Sequence, residues 1–511
     1  MAPSRIAIVG SGIGGLVAAI RLAVAGSEVL VFEKAARAGG KLRQIEVAGA
    51  RIDSGPTVFT LRDVFEEIFD AAGASLADVV RMHPLDTLAR HAWTGGARLD
   101  LFSDLDRSVD AIGALSGAAA AKGYLAFCER ARAIHETLDR TFIRDSRPGV
   151  TDLVRRIGAH RIGALIGISP FTTLWRALGD HFVDPRLRQL FGRYATYSGS
   201  SPFLAPATLM LIAHVEREGV WVIEGGMQRL VDALVGLAER LGVRFRYRVE
   251  VSEIRVDRGA ASGLVLRDGE VVEADAVVAN VDVAALGAGL LGRAVGQAAP
   301  ATREQDRSLS ALTVSLVAPT EGFRLAHHNV FFSDDYRAEF DSIRRGRLPA
   351  DPTVYVCAQD RGPVDTMPSG PERLFCIVNA PAVGDRPSGD PGEISLCETR
   401  TFERLEQCGL TVRRRPESTV VTTPADFARM FPGTGGALYG RASHGWTASF
   451  QRPGARSRVP RLYLCGGSTH PGAGVPMAAI SGTLAASSLL QDLASTGLSR
   501  RAGTRGGTST R

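Results

Sequence analysis

The most constraining stretch of the chain is its first. The apolar run RIAIV (5–9) leads into Gly10-Ser11-Gly12-Ile13-Gly14-Gly15, then an apolar helical run to about Ala25, then EVLVFE ending on Glu33. A short buried strand, a turn made almost wholly of glycine, a helix and a second strand predict a parallel βαβ unit. The glycines keep G-x-G-x-x-G spacing, and each has a task. Gly10 permits the tight turn, Gly12 lets backbone approach a pyrophosphate, and Gly15 lets helix and strand pack closely. Ile13 and Gly14 open the helix, whose free N–H groups stabilise phosphate charge. Glu33, 18 residues after the last glycine, can accept hydrogen bonds from ribose hydroxyls. The unit predicts a dinucleotide cradle; a glycine-rich helix start without a ligand is the plainer reading.

The same stretch imitates a secretory leader, being apolar, following Arg5 and carrying Ala23 and Ala25 at small-residue spacing. Its fixed glycine spacing and the strand behind it favour a folded unit and a cytoplasmic location. No run of about 18 or more uninterrupted apolar residues suggests a membrane-spanning helix. The length, 511 residues, allows two or more domains. The net charge is +6, but four positive charges (Arg500, Arg501, Arg505, Arg511) lie in the terminal run, read as a disordered basic tail over 496–511. The body is then near neutrality with no dense Lys/Arg block, which argues against nucleic acid as a partner. The six cysteines are scattered without a C-x-x-C pair, predicting buried free thiols and no disulfide framework. No metal-ligand spacing, Ser-His-Asp set or carboxylate dyad is evident.

Past Glu33 and Lys34 the chain runs KAARAGGKLRQIEVAGARIDSGPTVFT, placing Gly39-Gly40-Lys41 just beyond the second strand. NAD and FAD are separated here, because a second glycine pair beside a cation suits a longer cofactor that continues past its pyrophosphate. The pattern resembles the flavin amine-oxidase and carotenoid-desaturase superfamily, whose members carry Gly-Gly-Arg at this point. Lys41 departs from it, since lysine cannot make arginine's bidentate contact. The resemblance implies FAD, and a flavin domain whose last piece is a strand, a glycine-rich turn and a helix near the C-terminus. RLYLCGGSTHPGAGVPMAAISG (461–482) fits that description. RLYLC reads as an inner strand, and Gly466 and Gly467 let backbone pass the ribityl-phosphate chain. The helix opening at Val475, Pro476 and Met477 turns its positive end to the flavin. Without a ligand, the same residues read as a strand–helix unit completing a sheet.

A third segment, EGGMQRLVDALVGLAERLGVRFRYRVEVSEIRV (224–256), reads as a Gly-Gly turn, an amphipathic helix and strands. In the resembled family it returns the chain to the flavin domain, with the backbone of Val251 at the adenine. DSGPT (53–57), the run 184–207, VVAN (277–280) and above all GGSTHPGAGVP narrow the resemblance to bacterial carotenoid (phytoene-type) desaturases. The closest branch desaturates C-3,4 of 1-hydroxy- or 1-methoxycarotenoids. It implies an FAD-dependent oxidoreductase acting on CH–CH bonds, with phytoene or diapophytoene desaturation, carotenoid isomerisation, or carriage with a structural FAD as the other readings. His470 is the candidate catalytic base, with a turn-holding role as its alternative, and Asp53 reads as structural.

The implied substrate is a C40 chain drawn from a bilayer. The apolar segments 162–178 and 203–215 suit a monotopic contact with the cytoplasmic membrane, or else core helices. With one G-x-G-x-x-G no separate nicotinamide domain is expected, and a quinone, oxygen or another carrier is expected to take the electrons. The expected architecture is α/β: a discontinuous Rossmann-like FAD domain (1–75, 215–285, 455–495) and a mixed α+β substrate domain (76–214, 286–454). The Pro-, Gly- and Asp-rich region 359–395 is expected to form loops.

Overall fold

The computed structural model describes residues 3–146, 171–362, 368–386 and 391–503. β1 (Arg5–Val9), α1 (Ile13–Val24) and β2 (Glu28–Glu33) form the predicted βαβ unit. β1 is the middle strand of a five-stranded, all-parallel sheet in the order 462–464, 276–279, 5–9, 28–33, 244–247. Its register sets Ile6 opposite Val29 on one side and Ala276 on the other.

Strand alternation splits β1 between two cores. Ile6 and Ile8 pack with α1, the amphipathic helix Gln228–Arg240 and the C-terminal helix Val475–Gly503. Ala7 and Val9 face a three-stranded antiparallel sheet built from Val251–Asp257, Ala260–Leu266 and Val271–Glu273. Both faces are therefore covered, which is why these strands read as unbroken apolar runs. Leu16, Val17 and Ile20 of α1 are fully buried, each worth about 1.5–3 kcal/mol of transfer free energy. β1 passes to β2 on one side while 276–279 pairs on the other, so its carboxyl end faces a topological switch point, where ligand crevices form.

A second sheet has seven strands in the order 419–422, 310–318, 372–380, 354–358, 328–331, 87–92, 98–102. Only the pair 328–331 with 87–92 is parallel. The hairpin Gln44–Val47 and Ala50–Asp53 joins the two halves, its Val47 and Ile52 packing on Cys357 and Phe375 of the larger sheet. All six cysteines are free and buried.

Three features differ from the sequence expectation. RLYLC is not an inner strand: Leu462–Leu464 is the sheet's edge. It is still buried, because its open side bonds to neighbouring backbone, Leu464 N–H to the Ala455 carbonyl and Ser457 N–H to the Leu462 carbonyl. The region 359–395 is not all loop. Glu372–Ala380 is an interior strand paired with Ser310–Ala318 along its whole length, and a helix opens at Pro391. The turn-rich flanks masked a strand whose partner is distant in sequence. The C-terminal helix also runs on to Gly503, into the segment read as a tail. Of the apolar run 162–178, residues 162–170 lie outside the described residues, and the remainder includes the short helix Leu174–Leu178.

Candidate functional site

Three glycine-bearing loops meet over the carboxyl end of β1. The first is Gly10–Gly15. The second crosses it, with Gly39 N–H donating to the Ser11 carbonyl at 3.0 Å and Gly40 backing onto Gly12. The third is the turn at Gly466, whose N–H donates to Ser481 Oγ at 2.7 Å. Asn280, the last residue of VVAN, sits where they converge. A Cβ on Gly10, Gly12, Gly14, Gly15 or Gly466 would fall 2.6–3.0 Å from an Asn280 atom. Gly10 and Gly466 also take φ of +94° and +112°, open to glycine and strained for other residues. The glycines are thus required by neighbouring polypeptide alone. Asn280 was missed at the sequence level; a polar residue at the carboxyl end of a buried parallel strand was the available signal.

The cradle fits a dinucleotide. α1 starts on Gly12 with no side chain capping it, so its first-turn N–H groups remain for an anion. Glu33 is 8% exposed, and its Oε2 accepts from Ser11 N–H (2.8 Å) and Ser11 Oγ (2.9 Å) while Oε1 accepts from Ala35 N–H (2.9 Å). A carboxylate has about four lone-pair sites, so acceptor capacity remains for a ribose hydroxyl. Lys34 turns to the rim, its Nζ donating to the Met430 carbonyl. Val251 opens the antiparallel ribbon; the backbone against β2 is two residues earlier, where Val249 N–H donates to the Glu33 carbonyl.

Beyond the glycine loops lies a charged triad. Lys41 Nζ donates to the Leu438 carbonyl at 2.7 Å and stands 3.5 Å from Asp282. Buried Arg452 donates to the carbonyls of Tyr439, Gly467 and Arg441. Desolvation lowers both cations, Arg452 to about 10, and Asp282 partly opposes it. Two cations against one carboxylate leave positive charge that an anionic cofactor would balance. Asp282 and Arg452 carried no motif that exposed them in the sequence.

The C-terminal helix begins at Val475, with Pro476 and Met477 in its first turn, and crosses α1 almost backbone to backbone: a Cβ on Gly482 would lie 2.3 Å from the Gly14 carbonyl oxygen. Gly467 lines the turn between strand and helix. His470 is buried there, its ring edge-to-face with Phe142 and its Nε2 2.8 Å from the Phe142 carbonyl. A nitrogen facing a carbonyl must carry the hydrogen, so Nε2 is a donor and the ring ties the turn to the segment at 142. Asp53 accepts from Met227 N–H and Gln44 Nε2 and pins the Gly225-Gly226-Met227 turn to the hairpin. Desolvation raises its pKa.

Between hairpin, turn and larger sheet opens a cleft of about 320 Å³, lined by Asp53, Thr57, Trp221, Met227, His327 and Cys357 among others. His327, His328 and Cys357 form the one grouping of metal-type ligands among the described residues. Nδ1 of each histidine is already bonded, to the Arg361 carbonyl and to Tyr355 Oη.

Comparison with known proteins agrees with this geometry. Residues 13–317 match the family described as flavin containing amine oxidoreductase. The chain is 52% identical to a hydroxyneurosporene desaturase of Rubrivivax gelatinosus, over 99% of this chain and 97% of that protein. It is 45% identical to a hydroxyneurosporene desaturase of Cereibacter sphaeroides, over 96% and 98%. A 1-hydroxycarotenoid 3,4-desaturase of a Flavobacterium species is 32% identical over 94% and 97%. Among solved structures, an oxidoreductase of Methanosarcina mazei superposes with a TM-score of 0.58 at 17% identity, over 95% of this chain and 100% of that one, which shows the fold alone.

Proposed function

This chain belongs to the flavin-containing amine oxidoreductases and, within them, to the carotenoid desaturases, and from that premise we propose that it introduces a C-3,4 double bond into 1-hydroxy- or 1-methoxycarotenoids. The observation that carries this reading is the extent of the similarity. It runs through both sheets, so it covers the half that selects a substrate as well as the half that holds FAD.

FAD, when bound, supplies a two-electron acceptor for hydride. The chain's own residues bind and enclose it. Gly10, Gly12, Ile13, Gly14 and Gly15 take the pyrophosphate, Glu33 the ribose, and Val251 the adenine side. Gly39, Gly40, Lys41, Gly466, Gly467 and the helix start at Val475 line the remainder, with Lys34 at the rim. We assign 1–75, 215–285 and 455–495 to this half, and 76–214 and 286–454 to the substrate half. A bond beside a conjugated polyene leaves a delocalised cation on hydride loss, and proton release from such a cation needs only a weak base. His470 is committed to the Phe142 carbonyl and acts as a positioning residue.

A C40 substrate must leave a bilayer without crossing water. Among the described residues no helix is long and apolar enough to span a membrane. Phe171 and Trp446 stack edge to face at 5.1 Å and are 76% and 42% exposed, with exposed Leu204 bonded through its carbonyl to Gly445. This aromatic patch is the proposed contact with the cytoplasmic membrane surface. A quinone in the bilayer, or oxygen, receives the electrons.

The test is reconstitution with FAD and a quinone in liposomes carrying hydroxyneurosporene or phytoene, with products read by absorption and mass. Loss of two hydrogens from the hydroxylated substrate alone is expected. Stepwise conversion of phytoene would move the assignment to a general desaturase. Isomers without oxidation, or no conversion by FAD-loaded protein, would move it to isomerisation or carriage.

A further inference from the structure

The exposed pair Phe171 and Trp446 is part of a larger surface that also carries charge. The segment 172–175 lies against 202–207: Leu174 N–H donates to the Ala205 carbonyl, Trp175 N–H to the Pro202 carbonyl and Ala207 N–H to the Thr172 carbonyl. This sets Trp175 beside Phe203, with ring centroids 4.7 Å apart. Leu204 follows Phe203 and is bonded to Gly445, so Trp175, Phe203, Leu204, Trp446 and Phe171 are linked into one patch. Three arginines border it. The Arg337 guanidinium lies 4.2 Å from the Phe203 centroid, that of Arg188 lies 4.9 Å from the Trp175 centroid, and Arg176 stands exposed on the short helix Leu174–Leu178.

Among the described residues no carboxylate pairs with any of the three, and Arg188 bonds only the Trp175 carbonyl, at 3.4 Å. The acids of the same segments are engaged elsewhere. Asp180 faces Arg130, Asp184 pairs with Arg186, Asp341 pairs with Arg344, and Asp335 accepts from Ala338 N–H at the start of the helix Tyr336–Arg344. We propose that this patch docks on a bilayer through anionic headgroups: Phe171, Leu204 and Trp446 enter the interface, and Arg176, Arg188 and Arg337 bind lipid phosphates. The inference rests on the membrane contact proposed above and names the lipid chemistry it selects.

The chemistry of the patch favours this occupant. A guanidinium resting on an aromatic ring is held by it, and its donors form a planar fork that matches a phosphate. The apolar stem of an arginine covers hydrophobic surface while its charge stays in the polar layer, and a tryptophan ring likewise suits the boundary between the two. Positive charge with no acid committed to it complements a surface of one sign, which a bilayer bearing anionic lipid presents over its whole area. Each arginine close to such a surface strengthens attachment about fivefold, and salt screens the gain. Docking in this way holds the substrate half against the layer in which a water-insoluble polyene is dissolved.

The test is flotation of the FAD-loaded protein with vesicles of phosphatidylcholine alone or of phosphatidylcholine mixed with phosphatidylglycerol, at low and high salt. Wild type is expected to bind the mixed vesicles about tenfold or more tightly, with the preference lost in about 1 M salt. Arg337→Gln and Arg176→Gln should each lower binding to mixed vesicles about fivefold and leave binding to phosphatidylcholine unchanged. Arg337→Lys, which keeps the charge, should restore most of it. Arg240→Gln removes the same charge from the cofactor half and should change neither. Flavin content checks folding. A wild type indifferent to vesicle charge would overturn the proposal and leave the arginines to a protein partner, with the membrane contact standing. Equal losses from Arg240→Gln and Arg337→Gln would overturn it in favour of net charge. A wild type that binds neither vesicle overturns both the proposal and the membrane contact.

Discussion

Lys41 stands where the resembled pattern has arginine, and its surroundings show what a lysine can do there. It bonds a single carbonyl and shares Asp282 with Arg452, leaving a positive excess beside the glycine loops. Lys41→Met is expected to weaken FAD binding about tenfold or more while moving the apoprotein melting temperature little. Flavin-fluorescence titration beside a thermal melt checks this, and unchanged affinity would remove Lys41 from the cofactor site. His470 makes the opposite kind of prediction. With its Nε2 donating to the Phe142 carbonyl, His470→Asn should lower melting temperature and flavin retention. The pH profile of kcat should keep its shape; loss of a titrating limb would restore His470 as a base. The sequence singled out both residues. What each one meets was not legible, because a side chain's partner is set by the fold.

At the scale of elements, the strand–loop–helix units were readable because their signals are local: apolar runs, turn glycines and an acid at fixed spacing. How the units cross was not. α1 and the C-terminal helix approach at Gly14 and Gly482, where a Cβ would sit 2.3 Å from a backbone oxygen that cannot yield. Gly482→Ala should therefore separate the helices and lower stability by about 1–3 kcal/mol, with loss of bound FAD. Denaturant unfolding and flavin release measure both effects, and a neutral outcome would mean the crossing is looser than the structure has it. The helix Tyr336–Arg344 is pinned through Glu339, which accepts from Ser333, Thr353 and Asn379. Burial raises the Glu339 pKa from 4.5 to about 7. The folded protein then holds a proton that the unfolded chain releases near 4.5. Stability from this group is fully present below that pH and is lost as pH rises through about 7, on the order of 3 kcal/mol in all. Glu339→Gln should flatten that part of the stability–pH curve, and an unchanged slope would assign it to another group.

For the whole molecule, two sheets divide the work. The parallel sheet brings the glycine loops to one edge, and the larger sheet walls the cleft that opens beside the hairpin through His327, Cys357 and Arg373. The exposed pair Phe171 and Trp446 belongs to this scale, since only the assembled surface places it beside Leu204. The double substitution Phe171→Ser with Trp446→Ser should reduce association with liposomes and slow oxidation of membrane-held carotenoid, with flavin content unchanged. Full association by the variant would place the membrane contact elsewhere. The seven-stranded sheet was the least legible part, because Glu372–Ala380 lies between turn-rich flanks and pairs with a strand some sixty residues earlier.

By itself, the sequence determined the βαβ unit, the late glycine turn, the amphipathic helix between them and, through its motifs, the cofactor class and family. Those depend on short-range periodicity and turn chemistry, which any local window contains. The tertiary structure alone decided that Asn280 joins the glycine loops, that Leu462–Leu464 is an edge, that His470 holds a carbonyl, and that Arg188 and Arg337 rest on the rings of Trp175 and Phe203. Which side chains meet is set by the packing of distant segments, and no local pattern encodes it.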